Sequence, residues 1–140
     1  GTIRTYDPEV RSAYHERVRR TAENIAAASG ATAQVYIGDD TGYAATVNHE
    51  GLTEAMRDVF ERVAGEGKLV RSDLSTGSED FSFFQQEVPS VFFFLGVTPV
   101  DQDPATAAAN HSPLFVVDDA ALITGVRAMA QVAAEYLARN

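Results

Sequence analysis

The sequence predicts an α/β fold, and three observations carry that prediction. Residues 2–37 read as strand, long helix, strand. The run Val91, Phe92, Phe93, Phe94, Leu95 has no polar alternation, so it reads as a strand covered on both faces, as in an α/β sheet. Helical periods then lie on either side of that run, over residues 49–64 and 118–137.

Each element has a local reason. Thr2, Ile3, Arg4 and Thr5 form an opening strand. Asp7, Pro8 and Glu9 then start a helix: Asp caps, Pro fits the first helical position, and Glu faces the positive end of the helix dipole. Val10, Tyr14, Val18, Thr21 or Ala22, and Ile25 recur at helical spacing until Gly30 stops the run. Ala33, Val35 and Ile37 alternate with Thr32, Gln34 and Tyr36, the pattern of a half-buried strand. Residues 38–48 carry two glycines and no clear period, and read as a connection between two subdomains. Asn48 is the expected cap of the next helix, whose buried face is Leu52, Met56, Val59, Phe60 and Val63, with Gly65 as its stop. Residues 68–71 form a short strand. A polar turn over residues 75–80 feeds a short aromatic segment, residues 81–86, closed by Pro89. Residues 97–112 form a long loop, and the last helix starts at Asp118 and Asp119, burying Leu122, Val126, Met129, Ala133, and Tyr136 or Leu137.

Composition excludes several classes. The 140 residues suit one ordinary domain, and 45% hydrophobic content suits a globular chain. Eleven Lys and Arg against 20 Asp and Glu give a net charge of −9, which repels phosphate backbones. Arg17, Arg19 and Arg20 form no basic patch, because they share a helix with glutamates, so nucleic acid is not an expected partner. No apolar run approaches the ~20 residues that cross a bilayer, so no membrane partner is expected. With no Cys there is neither a disulfide nor a thiolate metal site. The chain starts at Gly1, directly in a strand, which points to a piece of a longer protein.

Few residues stand out for chemistry. His15 sits among Glu16 and Arg17 as an ordinary solvated side chain, and His49 stands beside a helix cap. His111 differs, because it ends the long loop just before the apolar residues 114–117, where a ligand or proton carrier is well placed. Glu79 and Asp80 could serve acid–base chemistry, but Thr76, Gly77, Ser78 and Glu79 equally fit a capping box. Gly77-Ser78 lacks the second glycine of a nucleophile elbow. The stretch Gly65-Glu66-Gly67-Lys68 has Arg62 where a phosphate loop needs glycine, and no two His lie four apart on a helix.

Five stretches in order carry a resemblance: residues 1–11 (Gly1-Thr2-Ile3-Arg4-Thr5-Tyr6-Asp7-Pro8-Glu9-Val10-Arg11), Thr46-Val47-Asn48, Gly77-Ser78-Glu79-Asp80-Phe81, Phe92-Phe93-Phe94-Leu95-Gly96 and His111-Ser112-Pro113. The series resembles the amidohydrolase branch of the two-metal aminoacylase and carboxypeptidase family, which includes hippurate hydrolases, auxin-conjugate hydrolases and N-acyl amino acid deacetylases. The resemblance implies the C-terminal part of a two-domain metallohydrolase with an inserted, ferredoxin-like lid domain. Residues 1–38 would be the second half of the lid, 39–48 a hinge connection, and 49–140 part of the metal-binding catalytic domain. It implies hydrolysis of amide bonds in N-acyl amino acids or peptides, with two divalent ions (zinc, manganese, cobalt or nickel) as cofactors. His111 matches the last metal ligand. Gly77, Ser78 and Glu79 match the loop that lines the substrate pocket, where a backbone without Cβ can approach the substrate. Arg4, on the lid strand, is not expected to bind substrate. The other ligands and the general base lie upstream in that family, so this chain alone is expected to be inactive and to hold no metal stably. A homo-oligomer and a cytoplasmic location complete the expectation. The alternative is a non-catalytic α/β oligomerisation or ligand-binding module, since a strand–helix–strand unit with an open edge can pair with another copy.

Overall fold

The Asp7 carboxylate decides where the first helix begins. In a computed structural model that describes residues 1–38 and 42–139, its Oδ1 accepts from the N–H groups of Glu9 at 2.7 Å and Val10 at 3.0 Å. Helix α1 then runs over Pro8–Ala28, and Gly30 beyond its end adopts φ 70°, a conformation glycine enters without a Cβ penalty. Helices α2 (Glu50–Ala64), α3 (Phe81–Glu87) and α4 (Asp119–Arg139) follow. Residues 39–41 of the expected connection lie outside the described residues.

Two compact units divide the chain. One comprises Gly1–Asn48 with Asp73–Ser90, the other His49–Ser72 with Val91–Asn140.

In the first unit, α1 buries none of its residues, and the apolar stripe read from the sequence stays largely in solvent: Val10, Tyr14, Val18 and Ile25 are all exposed. Residues 33, 35 and 37 are partly covered while 32, 34 and 36 are exposed, so the expected alternation is present in burial. Residues 42–47 show the same alternation, although their sequence suggests only an irregular connection.

The second unit is built on α2 against α4. Met56, Val59 and Phe60 of α2 and Ala128 of α4 are buried, with Leu52, Val63, Val91, Phe93 and Val132 packed around them. The rings of Phe60 and Phe93 lie 5.0 Å apart, tilted by 59°. The α2 face is the one the sequence predicts. The α4 face is not: Leu122, Val126, Met129 and Leu137 are exposed, and the helix turns Ala128 inward instead. Small side chains let two helices approach closely, so the small-residue face wins the contact and the larger one is left without cover. At Gly125 on α4 a Cβ would stand 2.9 Å from Leu95 Cδ2.

Caps also differ from expectation. His49, not Asn48, caps α2: its Nδ1 accepts from the Leu52 N–H at 3.1 Å. An imidazole nitrogen that accepts must be unprotonated, which places the ring proton on Nε2. Asp118 Oδ1 accepts from the Ala120 N–H at 2.9 Å at the head of α4, while the Asp118 N–H donates to the Val97 carbonyl at 2.8 Å.

The largest departure concerns the strands. Among the described residues none is paired into a β-ladder, so the strands expected at residues 2–5, 32–37, 68–71 and 91–95 are segments without regular secondary structure. Strand propensity alone does not make a strand: a ladder needs a second segment in register, and these do not supply it to one another. Residues 91–95 are covered unevenly: Val91 and Phe93 join the core, Phe92 is partly covered and meets Phe94 edge to face at 5.3 Å, and Phe94 is 68% exposed.

Polar contacts fasten α4 to α2. Arg139 Nη2 donates to Asp58 at 2.9 Å and to Glu135 at 3.3 Å, and Arg62 Nη2 reaches Glu135 at 2.9 Å. The hydrogen bond from Arg139 holds the Asp58 carboxyl below its ordinary value of 3.8. These groups are exposed, so the network orients the helices more than it stabilises them.

Two outcomes follow from this packing. Met56→Ala should cost about 2–5 kcal/mol in urea unfolding, because a fully buried side chain leaves a cavity between α2 and α4. A depressed carboxyl contributes stability above its unfolded pKa and loses it as pH falls through the folded value. The stability difference between the protein and Arg139→Met should therefore be constant near neutrality and shrink as pH drops below about 4, the ordinary Asp range. A difference that stays flat down to strongly acid pH would contradict the Asp58–Arg139 pairing.

Candidate functional site

The loop that opens α3 is built from short polar side chains satisfying their own backbone. Ser75 Oγ accepts from the Gly77 N–H at 3.2 Å, and Glu79 Oε1 accepts from the Phe81 N–H at 3.1 Å. Glu79 thus caps the helix from outside it, while Asp80 at the formal cap position makes no side-chain cap bond. The reciprocal capping box between Thr76 and Glu79 is not formed: the helix starts at Phe81, and the Glu79 carboxylate turns to the Phe81 N–H, while the Thr76 carbonyl accepts from another residue.

That residue is Arg4. Its Nη1 donates to the Thr76 carbonyl and to Ser78 Oγ, the latter at 3.4 Å. The opening segment therefore delivers a guanidinium to the loop holding Gly77, Ser78 and Glu79, and these four residues share the first compact unit. Gly77 and Ser78 are exposed and Glu79 is partly covered. Arg4 is the residue that sequence reasoning set aside. Its only signal was a cation on a strand otherwise made of Thr and Ile, which says nothing of what the strand faces.

Within α3, Ser82 is fully buried, and its Oγ has no hydrogen-bond partner among the described residues. Burying a hydroxyl without a partner costs about 1–3 kcal/mol.

His111 belongs to the second unit. Its side chain is exposed and its backbone adopts φ 69°, unlike any other described residue except glycines. The turn around it is tight: the Ser112 N–H donates to the Ala109 carbonyl at 3.1 Å, Ser112 Oγ accepts from the Leu114 N–H at 3.2 Å, and the Ser112 carbonyl accepts from the Phe115 N–H at 3.1 Å. A left-handed conformation at a residue with a Cβ costs on the order of 1–2 kcal/mol, and such outliers concentrate at working sites.

Among the described residues no three His, Cys, Asp or Glu side chains gather where they could hold a metal ion. A single exposed imidazole does not make a centre for two ions, so the donors among the described residues do not fit one by themselves. No described helix is long and apolar enough to cross a membrane.

Comparison with known proteins decides the family. Residues 7–135 match the family described as Peptidase family M20/M25/M40. The chain belongs to that family. Its members are metal-dependent hydrolases and peptidases, and membership is consistent with an α/β enzyme. Among similar proteins, thermostable carboxypeptidase 1 of Saccharolobus solfataricus is 33% identical over 136 residues, covering 97% of this chain and 33% of the relative. N-acetylcysteine deacetylase of Bacillus subtilis is 31% identical over 134 residues, 95% of this chain and 32% of the relative. IAA-amino acid hydrolase ILR1-like 4 of Arabidopsis thaliana is 36% identical over 92 residues, 66% of this chain and 20% of the relative. The chain therefore spans about a third or less of the length of these relatives. No solved structure matches it.

The strain at His111 has a measurable sign. His111→Gly should leave the urea midpoint unchanged or raise stability by up to about 1 kcal/mol, whereas His111→Val should lower it by about 1–2 kcal/mol. Equal losses in both variants would show that the backbone there is unstrained.

Proposed function

We propose that this chain serves in the metal-dependent hydrolysis of the amide bond joining an acyl group to an amino acid, within a protein of the length of its relatives, and that alone it is inactive. Water adds across the amide, releasing a carboxylate and an amine. The observation that carries the reading is Arg4 at the 77–79 loop. An N-acyl amino acid has lost its ammonium charge and keeps its carboxylate, so a pocket for it calls for a cation and for hydrogen-bonding groups that approach closely. Arg4 supplies the cation, Ser78 a hydroxyl, and Gly77 a backbone with no side chain in the way. Glu79 holds the loop on α3. His111 would supply one imidazole donor to a pair of divalent ions, of the zinc, manganese, cobalt or nickel class. The names of the relatives, a deacetylase of N-acetylcysteine and a hydrolase of IAA-amino acids, support the substrate class.

The same reading assigns residues 1–38 to half of an α+β lid, 39–48 to the connection and 49–140 to an α/β catalytic part. A second copy of the chain is the proposed partner, supported by the exposed stripe of α1 and by the unladdered segments beside it. A clean monomer by light scattering at high concentration overturns that assignment.

For the reaction, the test is kinetic. In a protein of the relatives' length that carries this chain, Arg4→Ala should raise KM for N-acyl amino acids about tenfold or more, with a smaller change in kcat. Substrates whose carboxylate is amidated should lose the same factor with the original protein and almost nothing further with Arg4→Ala. His111→Ala should abolish most activity while leaving the fold intact. Unchanged KM in Arg4→Ala, or a fully active His111→Ala, refutes the corresponding role.

A further inference from the structure

Residues 42–48 have no regular secondary structure, yet side chains fasten them at three points. Arg11 Nη1, from α1, donates to the Tyr43 carbonyl at 3.0 Å. The Tyr43 ring lies 5.7 Å from that of Phe83. Gln85 then grips the far end twice: its Oε1 accepts from the Val47 N–H at 2.8 Å, and its Nε2 donates to Asn48 Oδ1 at 3.2 Å. Two of these three attachments come from α3.

A primary amide is the right group for this grip. It offers an acceptor and a donor on one planar head, so it can hold a backbone N–H and a neighbouring side-chain oxygen together. Leucine, of similar bulk, offers neither, and glutamate offers acceptors alone. The other end of α3 is held by Glu79, whose carboxylate caps the Phe81 N–H. Helix α3 is only seven residues long, two turns, so Phe81 and Gln85 lie one turn apart on the same short rod.

We propose that Gln85 is a clamp that makes the 42–48 segment and the 76–80 loop move as one body, so that whatever grips the loop is felt at Val47 and Asn48. Gln85 touches no substrate group in this arrangement and is a positioning residue. Its bearing on turnover rests on reading residues 77–79 as a substrate loop, but the clamp itself needs no ligand, and so its failure is distinguishable from the failure of that reading.

The experiment is amide exchange measured residue by residue by NMR on this chain without ligand. In Gln85→Leu the Val47 amide should exchange about fivefold faster or more, the loss of one net hydrogen bond, while Phe83 and Val88 in and after α3 keep their rates. Gln85→Glu keeps the acceptor and should restore most of the Val47 protection. Glu79→Ala, which uncaps α3, should speed both Phe83 and Val47 when Gln85 is present. In the Gln85→Leu background it should speed Phe83 and leave Val47 where the single substitution put it. The Val59 amide in the buried face of α2 serves as the control for an intact fold. Val47 exchange that is indifferent to Gln85→Leu, a Gln85→Glu variant as unprotected as the Leu variant, or the same added effect of Glu79→Ala in both backgrounds overturns the proposal.

Discussion

A helix closes its own backbone hydrogen bonds, whereas an extended segment must borrow them from a neighbour, and the architecture of this chain depends on that asymmetry. The four helices form because each needs only a cap and a sequence without breakers, supplied by Asp7, His49, Glu79 and Asp118. The segments read as strands are joined by no ladder among the described residues, although 32–37, like 42–47, alternates covered and exposed residues. Burial therefore concentrates on α2 against α4 around Val59, with Val91 and Phe93 packed onto that helix pair.

The loop at α3 shows the same economy on a smaller scale. Its polar side chains serve neighbouring N–H groups, which fixes the loop without long-range packing, and Arg4 is a long-range attachment that brings a formal charge to it. His111 is held differently, by a turn in which Ser112 uses its N–H, its hydroxyl and its carbonyl. In one case a cation is carried to small residues, in the other an imidazole is presented on a conformation that only a tight turn maintains.

The helices were legible because their determinants are local. Asp7-Pro8, Gly65 and the Leu52, Met56, Val59, Phe60, Val63 period each act within a turn or two of themselves. The inward face of α4 was not legible, since the hydrophobic pattern favours Leu122, Val126 and Met129, and only the approach of α2 selects Ala128. The alternation in residues 42–47 was hidden by small residues, Gly42, Ala44 and Ala45, whose polarity hardly varies. At the loop, Gly77, Ser78 and Glu79 were recognisable as a motif, while Arg4 and Gln85 were not: their roles depend on partners 72 and 38 positions away. The cap on α2 shifted by one residue, from Asn48 to His49, because either side chain has an acceptor and sequence does not choose between them.

The extended stretch around Phe92 has one more consequence, for how the protein behaves in company. Five consecutive uncharged residues, three of them Phe, set Val91 and Phe93 against the core and leave Phe94 exposed. Such segments template cross-β assembly when like copies meet. Pro89 and Pro99 stand on either side of it, and neither can donate to a ladder, so any growth of a stacked register ends within ten residues or so. The two prolines act as gatekeepers of solubility around the most adhesive stretch of the chain.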